Sequence, residues 1–338
     1  MRLENVVALI HGKLVNTPFV HTFTNIVFEA KNVKRGDLFI AYDENEIEDA
    51  IFNGAYGIIF DKPTQISDTE IAWIKVQNLD DALTRLLRFK LIAKNLTVYT
   101  CNEIILHFAL QITTDNSLVI LDGDIKYLYN SLRNLEENTL VLFCPNRTTS
   151  DIFTHTKPLL ENKGLKIKIV EQTLFETSFI YKNIFYERQL LSPLFIPYLE
   201  QLFYFFTTYK INFRVKKLTL TNHFEAIFIN KKFTIQEFGT TDMVIIFEQE
   251  SSLVASEMEF LQHYASWAKL LFIVPQNIVS SLDTKLLSSG NFQTYKEEKE
   301  IHKLLNTYDF HFALVMATHK SFLQEHNEVQ KNLTLFDF

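Results

Sequence analysis

The segment from Leu96 to His107 is where this chain could bind a nucleotide phosphate, because its sequence predicts a strand that leads into a turn. A phosphate-binding loop needs glycines, which let backbone N–H groups converge on the anion, and a lysine that reaches the outer phosphates. This segment contains neither glycine nor lysine, and the acidic Glu103 stands where positive potential is required. The sequence therefore predicts no nucleoside triphosphate site of this kind.

Three other groups of polar residues could do chemistry, and each also has a simpler structural explanation. Asp122-Gly123-Asp124 could place carboxylates at the carboxyl end of a strand or could form an ordinary turn. The segment 248–252 follows an apolar strand and could bind a ligand, while Ser251 or Ser252 could simply cap the next helix. Histidines near the C-terminus lack metal-site spacing: His302, His311, His319 and His326. We therefore predict no metal ion and no catalytic residue here.

The composition narrows the function classes. The 338 residues include 8 glycines, far below the roughly 7% of an average protein, so few sites allow close backbone approach to a ligand. A net charge of −7 argues against a nucleic-acid-binding protein, whose footprint is basic. Cys101 and Cys144 adjoin apolar runs, which is typical of buried thiols in a reducing compartment. Since we find no signal-peptide pattern and no membrane-spanning apolar run, we expect a cytoplasmic protein.

Strand and helix patterns alternate along the chain and predict a multidomain α/β protein. Residues 1–92 are expected to form an α/β domain, in which Asp80 caps a helix that begins at Asp81. Residues 93–214 are expected to form a reduced central α/β domain that lacks a phosphate loop. Residues 215–338 are expected to form a Rossmann-like C-terminal domain.

The central and C-terminal regions carry further local patterns. A helix that ends at Asn162 is expected after a polar loop, and Ser178–Tyr186 alternates like a single strand. Ala226–Ile229 and Phe233–Ile235 are expected to form the two strands of a hairpin, with its turn at 230–232.

Three stretches within about residues 15–92 resemble the N-terminal domain of the Mur ligases, which add amino acids to UDP-linked peptidoglycan precursors. They are Lys31–Ala41 (Lys-Asn-Val-Lys-Arg-Gly-Asp-Leu-Phe-Ile-Ala), Ala50–Ile59 and Ile74–Leu83. Weaker similarity, at Phe224-Glu225, Met243–Phe247 and Ala313–Thr318, is to the subtype that adds D-alanyl-D-alanine. The resemblance implies the architecture of an ATP-dependent ligase.

The chain departs from the family pattern at the positions that carry the chemistry. Glu29-Ala30-Lys31 replaces the family's Asp-Ser-Arg, and the segment that helps to hold the uridine is shortened to 42–45. The ATP loop is absent, and the family's magnesium-binding Glu, carbamylated Lys and metal-binding His have no recognisable counterparts. Without a phosphate cradle and magnesium, nothing offsets the charge on a transferring phosphoryl group. We therefore expect no cofactor.

The leading hypothesis is a catalytically inactive Mur-ligase-like protein, a bacterial pseudoenzyme with a binding or scaffolding role linked to peptidoglycan precursor synthesis. Its partner would be a UDP-linked precursor or a cell-wall protein, with no nucleic acid and no membrane span. Two alternatives stay open: an active ATP-dependent amide ligase with an atypical nucleotide site, and a purely structural protein-interaction adaptor. A precursor site, if present, is expected near Thr24, Asn25 and Lys31.

Overall fold

The computed structural model describes residues 1–146, 149–282 and 291–318. The chain forms two compact units. Unit 1 is made of residues 1–106 and 114–160, and unit 2 of residues 107–113 and the described residues from 161 onward. Each unit contains strands and helices in alternation, which confirms the predicted α/β class. The predicted division at residues 92 and 214 stays a prediction.

Unit 1 contains a five-stranded sheet with the order β1-β5-β4-β3-β2, in which only β1 is antiparallel. Its strands are β1 (Lys13–Leu14), β2 (Ile26–Val27), β3 (Leu38–Ile40), β4 (Gly57–Phe60) and β5 (Ala72–Lys75). Three helices accompany it: α1 (Leu3–Leu9), α2 (Ile47–Phe52) and α3 (Leu79–Leu91). Both faces of β3 and β4 are buried, as expected for parallel strands covered by helices.

A second sheet in unit 1 is fully parallel, with the order β7-β8-β6-β9. Its strands are β6 (Thr97–Thr100), β7 (Leu118–Leu121), β8 (Leu140–Phe143) and β9 (Lys157–Pro158). Helix α4 (Glu103–Ile112) follows β6, and α5 (Ile125–Leu132) follows β7. Because α3 and α5 share one apolar core cluster, the end of α3 and the end of α5 lie close together.

Unit 2 contains an antiparallel three-stranded sheet and a larger, mainly parallel sheet. The first has β10 (Lys168–Gln172), β11 (Thr177–Tyr181) and β12 (Ile184–Gln189), followed by helix α6 (Ile196–Tyr209). The second has the order β13-β14-β17-β15-β16, with β13 (Glu225–Ile229), β14 (Met243–Glu248), β15 (Leu270–Pro275), β16 (Asn291–Tyr295) and β17 (Phe312–Met316). Helices α7 (Val254–Tyr264) and α8 (Lys299–Thr307) connect its parallel strands.

Helix α3 shows how the sequence forms these elements. Leu79, Leu83, Leu86 and Leu87 recur at helical spacing and are all buried. Burial of each such side chain is worth about 1.5–3 kcal/mol, which is enough to fix the face that α3 presents to the core. The predicted cap is wrong by two residues: Asn78, and not Asp80, caps the helix, because the Asn78 side chain accepts a hydrogen bond from the Asp81 N–H at 2.9 Å.

Two strand predictions are wrong for reasons of turn geometry. The expected single strand Ser178–Tyr186 is a hairpin, because Lys182 and Asn183 both adopt left-handed backbone, with φ of 48° and 64°. Such a pair matches the twist of the flanking strands. The expected hairpin partner Phe233–Ile235 contributes only an isolated bridge between Ile235 and Ile229, and β13 pairs instead with β14.

The helix expected to end at Asn162 is absent. The Asn162 side chain instead closes a turn, in which its Oδ1 accepts from the Leu165 N–H at 2.8 Å and its Nδ2 donates to the Leu165 carbonyl at 2.7 Å. Asn side chains compete with helical hydrogen bonds in this way.

Candidate functional site

A polar cleft of about 600 Å³ opens in unit 1. It is lined by Asn25, Ile26, Val27, Phe28, Glu29, Asn32, Lys34, Asp37, Lys90, Asn130, Arg133 and Asn134. We call it the Asn25 cleft. Its walls come from the segment between β2 and β3, from the last turn of α3 and from the C-terminal end of α5. Its volume falls within the range of about 300–1,000 Å³ that is usual for small-molecule sites.

Asp37 holds one wall of the cleft in shape. Its Oδ1 accepts from the backbone N–H and from the Nδ2 of Asn25, both at 3.1 Å, and its Oδ2 accepts from the Lys34 N–H at 3.0 Å. The side chain is 2% exposed. Because its charge is taken up by these donors, Asp37 is a positioning residue that fixes Asn25 and Lys34 relative to each other.

Gly36 makes the turn on this wall possible. It adopts φ of 97°, and a Cβ at this position would lie 2.9 Å from Thr24 Oγ1. The Thr24 N–H also donates to the Gly36 carbonyl at 2.8 Å. Only glycine satisfies both the left-handed backbone and the close approach, so the Gly36 in the family-like motif has a physical reason.

The cleft brings together three cationic side chains: Lys34, Lys90 and Arg133. No carboxylate among the described residues forms an ion pair with any of these cations. The second acidic residue on the wall, Glu29, is engaged by Lys31 at 3.0 Å and by the Asn32 Nδ2 at 2.9 Å. The acidic groups of the cleft are therefore satisfied within the wall, while its cations have no carboxylate partner among the described residues.

Lys90 carries the clearest electrostatic signal. Burial lowers the pKa of its ammonium, and the nearby charges of Arg133 and Lys94 lower it further. Its Nζ donates to the Tyr129 hydroxyl at 2.6 Å. Like charges held together without a counter-charge disfavour each other, so an anion bound here would relieve the repulsion. Arg133 is held at the C-cap of α5, where the helix dipole favours a cation.

Phe28 gives the cleft one aromatic wall. Its ring packs edge to face on Tyr129, with ring centroids 5.4 Å apart, and on Tyr42 at 6.2 Å. Phe28 is half-buried, so part of the ring stays open to the cleft. Such a ring offers a stacking surface for a planar group.

The structure separates the three residues expected to bind a precursor. Asn25 lines the cleft. Thr24 and Lys31 do not line it: Thr24 packs against the Gly36 turn, and Lys31 lies on the surface in its ion pair with Glu29. The hydrogen bond with Glu29, followed by its charge, raises the pKa of Lys31. Substrate binding by these three residues stays a prediction.

The turn after β6 has a shape unlike that of a phosphate cradle. Only Cys101 and Asn102 separate β6 from α4, and no residue from 96 to 122, all of which are described, has a positive φ. The Asn102 Oδ1 accepts from the Ile105 N–H at 2.9 Å, and the Cys101 N–H donates to the Phe143 carbonyl at 3.0 Å. An anion nest needs alternating right- and left-handed residues, and this turn provides no left-handed residue.

Cys101 and Cys144 follow the paired strands β6 and β8 at this same edge, and both are free thiols. Burial raises the pKa of each, with that of Cys144 reaching about 11. Glu103 and Asp122 contribute to the shift at Cys144. Raised thiol pKa values are typical of structural cysteines rather than of nucleophiles.

The other polar segments have mainly structural roles. In 122–124, Gly123 forms the turn with φ of 109°, and Asp124 caps α5 by accepting from the Tyr127 N–H at 2.8 Å. Neither Ser251 nor Ser252 caps α7, whose N-cap residue is Leu253 with no side-chain cap.

The segment after β14 contains a buried carboxyl pair that the sequence did not reveal. Glu248 accepts from His223 Nδ1 at 3.0 Å, the Phe224 N–H at 3.1 Å and the Glu250 N–H at 2.7 Å. Burial raises the pKa of Glu248, but hydrogen bonding outweighs this effect and holds the pKa below its usual range. Burial and the adjacent Glu248 charge raise the pKa of Glu257 well above normal, so Glu257 is the protonated member.

The described ranges lack two features, a clustered set of metal ligands and a helix able to span a membrane. These ranges contain no group of three or more His, Cys, Asp and Glu that could hold a metal ion. His311 precedes β17, and its Nδ1 accepts from the Lys269 N–H at 3.0 Å. His319 and His326 lie outside the described residues. No described helix combines the length and apolar character that a bilayer crossing requires.

Sequence reasoning missed the cationic side of the cleft. One signal was present: Lys90 falls on the stripe Leu79, Leu83, Leu86 of α3, one turn further on, where an apolar residue would be expected. A charged residue on the buried face of an amphipathic helix marks a position with a special environment. Arg133, Asn130 and Asn134 give no such signal, because their role depends on how α5 packs beside α3.

Comparison with known proteins supports the architecture. No family model matches the sequence, and no curated protein matches it significantly. In structure, the chain is similar to MurF from Acinetobacter baumannii, with 10% identity, a TM-score of 0.50 and coverage of 97% of this chain and 98% of that one. It is also similar to the MurF ligase from Thermotoga maritima in complex with ADP, with 14% identity, a TM-score of 0.50 and coverage of 90% and 96%. The chain therefore has a Mur-ligase-like fold, as the sequence resemblance predicted.

Proposed function

We propose that this protein binds a UDP-linked peptidoglycan precursor in the Asn25 cleft and that it does so without using ATP. The observation that carries the proposal is the uncompensated cationic cluster: Lys90 and Arg133 share the cleft with Lys34, while its acidic groups are already engaged. On this proposal the protein is a cytoplasmic binding or scaffolding relative of the Mur ligases and is not itself a ligase.

The lining of the cleft fits the parts of such a ligand. A diphosphate carries charge that Lys34, Lys90 and Arg133 can neutralise, with Arg133 able to bind two oxygens at once. Carboxamides such as Asn25 offer both donors and acceptors to the edge of a uracil. The Phe28 ring offers a face on which the base can stack.

The turn between β6 and α4 supports the absence of ATP chemistry. Its Cys101 N–H donates to the Phe143 carbonyl, the Ile105 N–H donates to the Asn102 side chain, and the turn has no left-handed residue, no glycine and no lysine. Transfer of a phosphoryl group depends on positive charge and convergent donors around the γ-phosphate. The solved MurF of T. maritima holds ADP, and we infer that this chain has lost the corresponding ability.

Isothermal titration calorimetry with UDP-N-acetylglucosamine, N-acetylglucosamine and ATP–magnesium tests the proposal. We expect saturable binding of the UDP-sugar, no binding of the free sugar, and no binding of ATP–magnesium at micromolar concentrations. Lys90→Met combined with Arg133→Leu should abolish the signal. Lys75→Met, which removes an exposed cation of β5 outside the cleft, is the matched control and should leave the affinity unchanged.

Two outcomes would favour the alternative functions. Release of phosphate from ATP that depends on a UDP-linked muropeptide would identify an active ligase with an atypical nucleotide site. Absence of any UDP-sugar binding, by calorimetry and by thermal shift, would favour a structural adaptor, whose positive test is the isolation of a stable protein complex.

A further inference from the structure

Unit 2 contains a second cavity, of about 610 Å³, whose walls are aromatic. Six rings line it: Phe175, Phe228, Phe238, Tyr264, Trp267 and Phe312. We call it the aromatic cavity. Phe175, Phe228 and Phe312 are buried and form its floor, while Trp267 is 73% exposed and stands at its mouth. Neither the fold nor the proposed function explains this concentration of rings, and the inference drawn from it is independent of the Asn25 cleft.

The rings are arranged as walls that meet at steep angles. Trp267 and Phe312 lie at 81° with centroids 6.1 Å apart, and Phe175 and Phe228 at 74° with centroids 5.9 Å apart. Phe238 stands at 75° to Phe175. Because these rings all line the cavity, more than one of them offers an aromatic surface to the same space. The negative face of an aromatic ring attracts a cation, so several faces around one space favour an organic cation.

The charged groups around the cavity have one sign. Asp242 and Glu176 line it, and none of its described lining residues is a lysine or an arginine. Asp242 is exposed and forms no ion pair with the described residues, whereas Glu176 is paired with Arg188 at 3.3 Å. His311 also lines the cavity, but its Nδ1 accepts a hydrogen bond and so carries no proton in this arrangement.

We propose that the aromatic cavity is a binding site for a small organic cation with an alkylammonium head group. The head group would lie against the face of Trp267 and the deeper rings, with Asp242 supplying the counter-charge at the rim. Aromatic walls with a carboxylate and no competing cation discriminate against anions and give a positive charge an advantage over a neutral group of the same shape.

Choline and 3,3-dimethyl-1-butanol form the decisive probe pair, because they have the same shape and differ only in the charge of the quaternary centre. Trp267 is a natural reporter, since the chain has 2 tryptophans and the other, Trp73, is 0% exposed in unit 1. We expect a saturable change in tryptophan fluorescence with choline, and affinity about tenfold higher than for the alcohol. Trp73→Phe should keep the response.

Two variants locate the recognition. Trp267→Ala should abolish choline binding, which saturation-transfer NMR on the N-methyl protons measures. Because Trp267 is highly exposed, we expect the variant to fold normally, and circular dichroism checks this. Asp242→Asn should weaken choline binding severalfold and leave the alcohol unchanged. Glu259→Gln, which removes an exposed charge of α7 outside the cavity, is the matched control and should have no effect.

Three results would overturn this proposal. One is equal affinity for choline and the alcohol, which would make the cavity a merely apolar site. Another is the absence of saturation by either probe up to about 100 mM, far above the millimolar limit of weak specific binding. The third is full choline affinity in Asp242→Asn. None of them bears on UDP-sugar binding in unit 1, so the two proposals fail separately.

Discussion

The two cavities have nearly the same volume, about 600 and 610 Å³, and opposite chemistry. The Asn25 cleft in unit 1 is lined by three cations and by carboxamides, with Glu29 and Asp37 engaged in its wall. The aromatic cavity in unit 2 is lined by rings and carboxylates, with no lysine or arginine among its described lining residues. The difference indicates that the fold supplies space, while the side chains at the ends of its elements set the charge that lines that space.

A second contrast concerns the buried acids of the two units. Asp37 in unit 1 is a carboxylate with three N–H donors. Glu257 in unit 2 is fully buried, and no described donor group reaches either of its oxygens. The charge of Glu248 raises the pKa of Glu257, so a proton on Glu257 is the means by which the pair is accommodated. Asp37 organises the wall of the cleft by accepting hydrogen bonds, whereas Glu257 is accommodated in the interior as a neutral, protonated acid.

The largest effect should come from Asp37→Ala. Removal of the carboxylate leaves three N–H groups without their acceptor, and we expect a loss of about 3 kcal/mol in the free energy of unfolding. Urea denaturation measures it. Glu48→Ala, at an exposed position of α2, is the control. A change below about 0.5 kcal/mol, the usual size of a surface effect, would show that the wall does not depend on Asp37.

The second-largest effect is expected from charge reversal at Arg133, which should weaken ligand binding in the Asn25 cleft and leave the aromatic cavity unaffected. Two unit charges about 4 Å apart in water interact with about 1 kcal/mol. Arg133→Glu changes the charge of this side chain by two elementary charges, so it should weaken UDP-sugar binding about thirtyfold. Calorimetry at low salt measures the affinity, because salt screens exposed charges. Choline binding in unit 2 should be unchanged. A thirtyfold loss in both ligands would mean that the variant damages the whole fold.

Glu257→Gln should change the pH dependence of stability. The folded-state pKa of Glu257 is raised above its normal 4.5, so the native protein loses stability as pH rises from that value toward the folded pKa, by at most about 1.4 kcal/mol per pH unit. Glutamine has no proton to lose. The variant should therefore match the parent at pH 4 and become increasingly more stable than the parent as the pH rises toward 8.

Chemical denaturation across pH 4–8 checks this expectation. Glu259→Gln on the same helix is the control for the loss of one carboxyl, and it should show no pH-dependent difference. The contribution of Glu248 does not interfere, because its depressed pKa makes its stabilisation disappear only as pH falls below about 4.5. A difference between Glu257→Gln and the parent that is the same at every pH would contradict the protonated state of Glu257.

The smallest effect is expected for alkylation of Cys144, which lies at the edge of the sheet where a nucleotide-binding loop would be found. The pKa of Cys144 is raised to about 11, so its thiolate fraction at pH 7.5 is far below that of an ordinary cysteine. Alkylation by iodoacetamide should be slow and should accelerate with each pH unit up to about 11. Mass spectrometry follows the label at each cysteine. Rapid labelling at neutral pH would instead indicate an activated thiol.

Sequence reasoning succeeded where local patterns decide structure. The helix predicted to begin at Asp81 is α3 (Leu79–Leu91), and Gly36 within the family-like motif occupies the left-handed turn that needs it. It failed at Lys182-Asn183, where two left-handed residues turn one expected strand into a hairpin. Neither residue is glycine, so the glycine that usually marks such a turn in a sequence is missing here.

The candidate site was only partly accessible from the sequence. Asn25 was predicted and lines the cleft, but Lys34, Lys90 and Arg133 were not singled out. Lys90 and Arg133 are 43 positions apart in number, on separate helices. Their shared electrostatics arises only when α3 and α5 bury their leucines in one core, because no local signal specifies which helix ends meet.

The sequence by itself determined the α/β architecture and the lack of a glycine-rich phosphate loop, since both follow from residue types and their spacing along the chain. Tertiary packing alone decided that cations converge in one unit and aromatic rings in the other, and that Glu257 lies beside Glu248. The physical reason is that charge and burial act through space: a side chain's environment is set by its neighbours in the fold, most of which are distant in sequence.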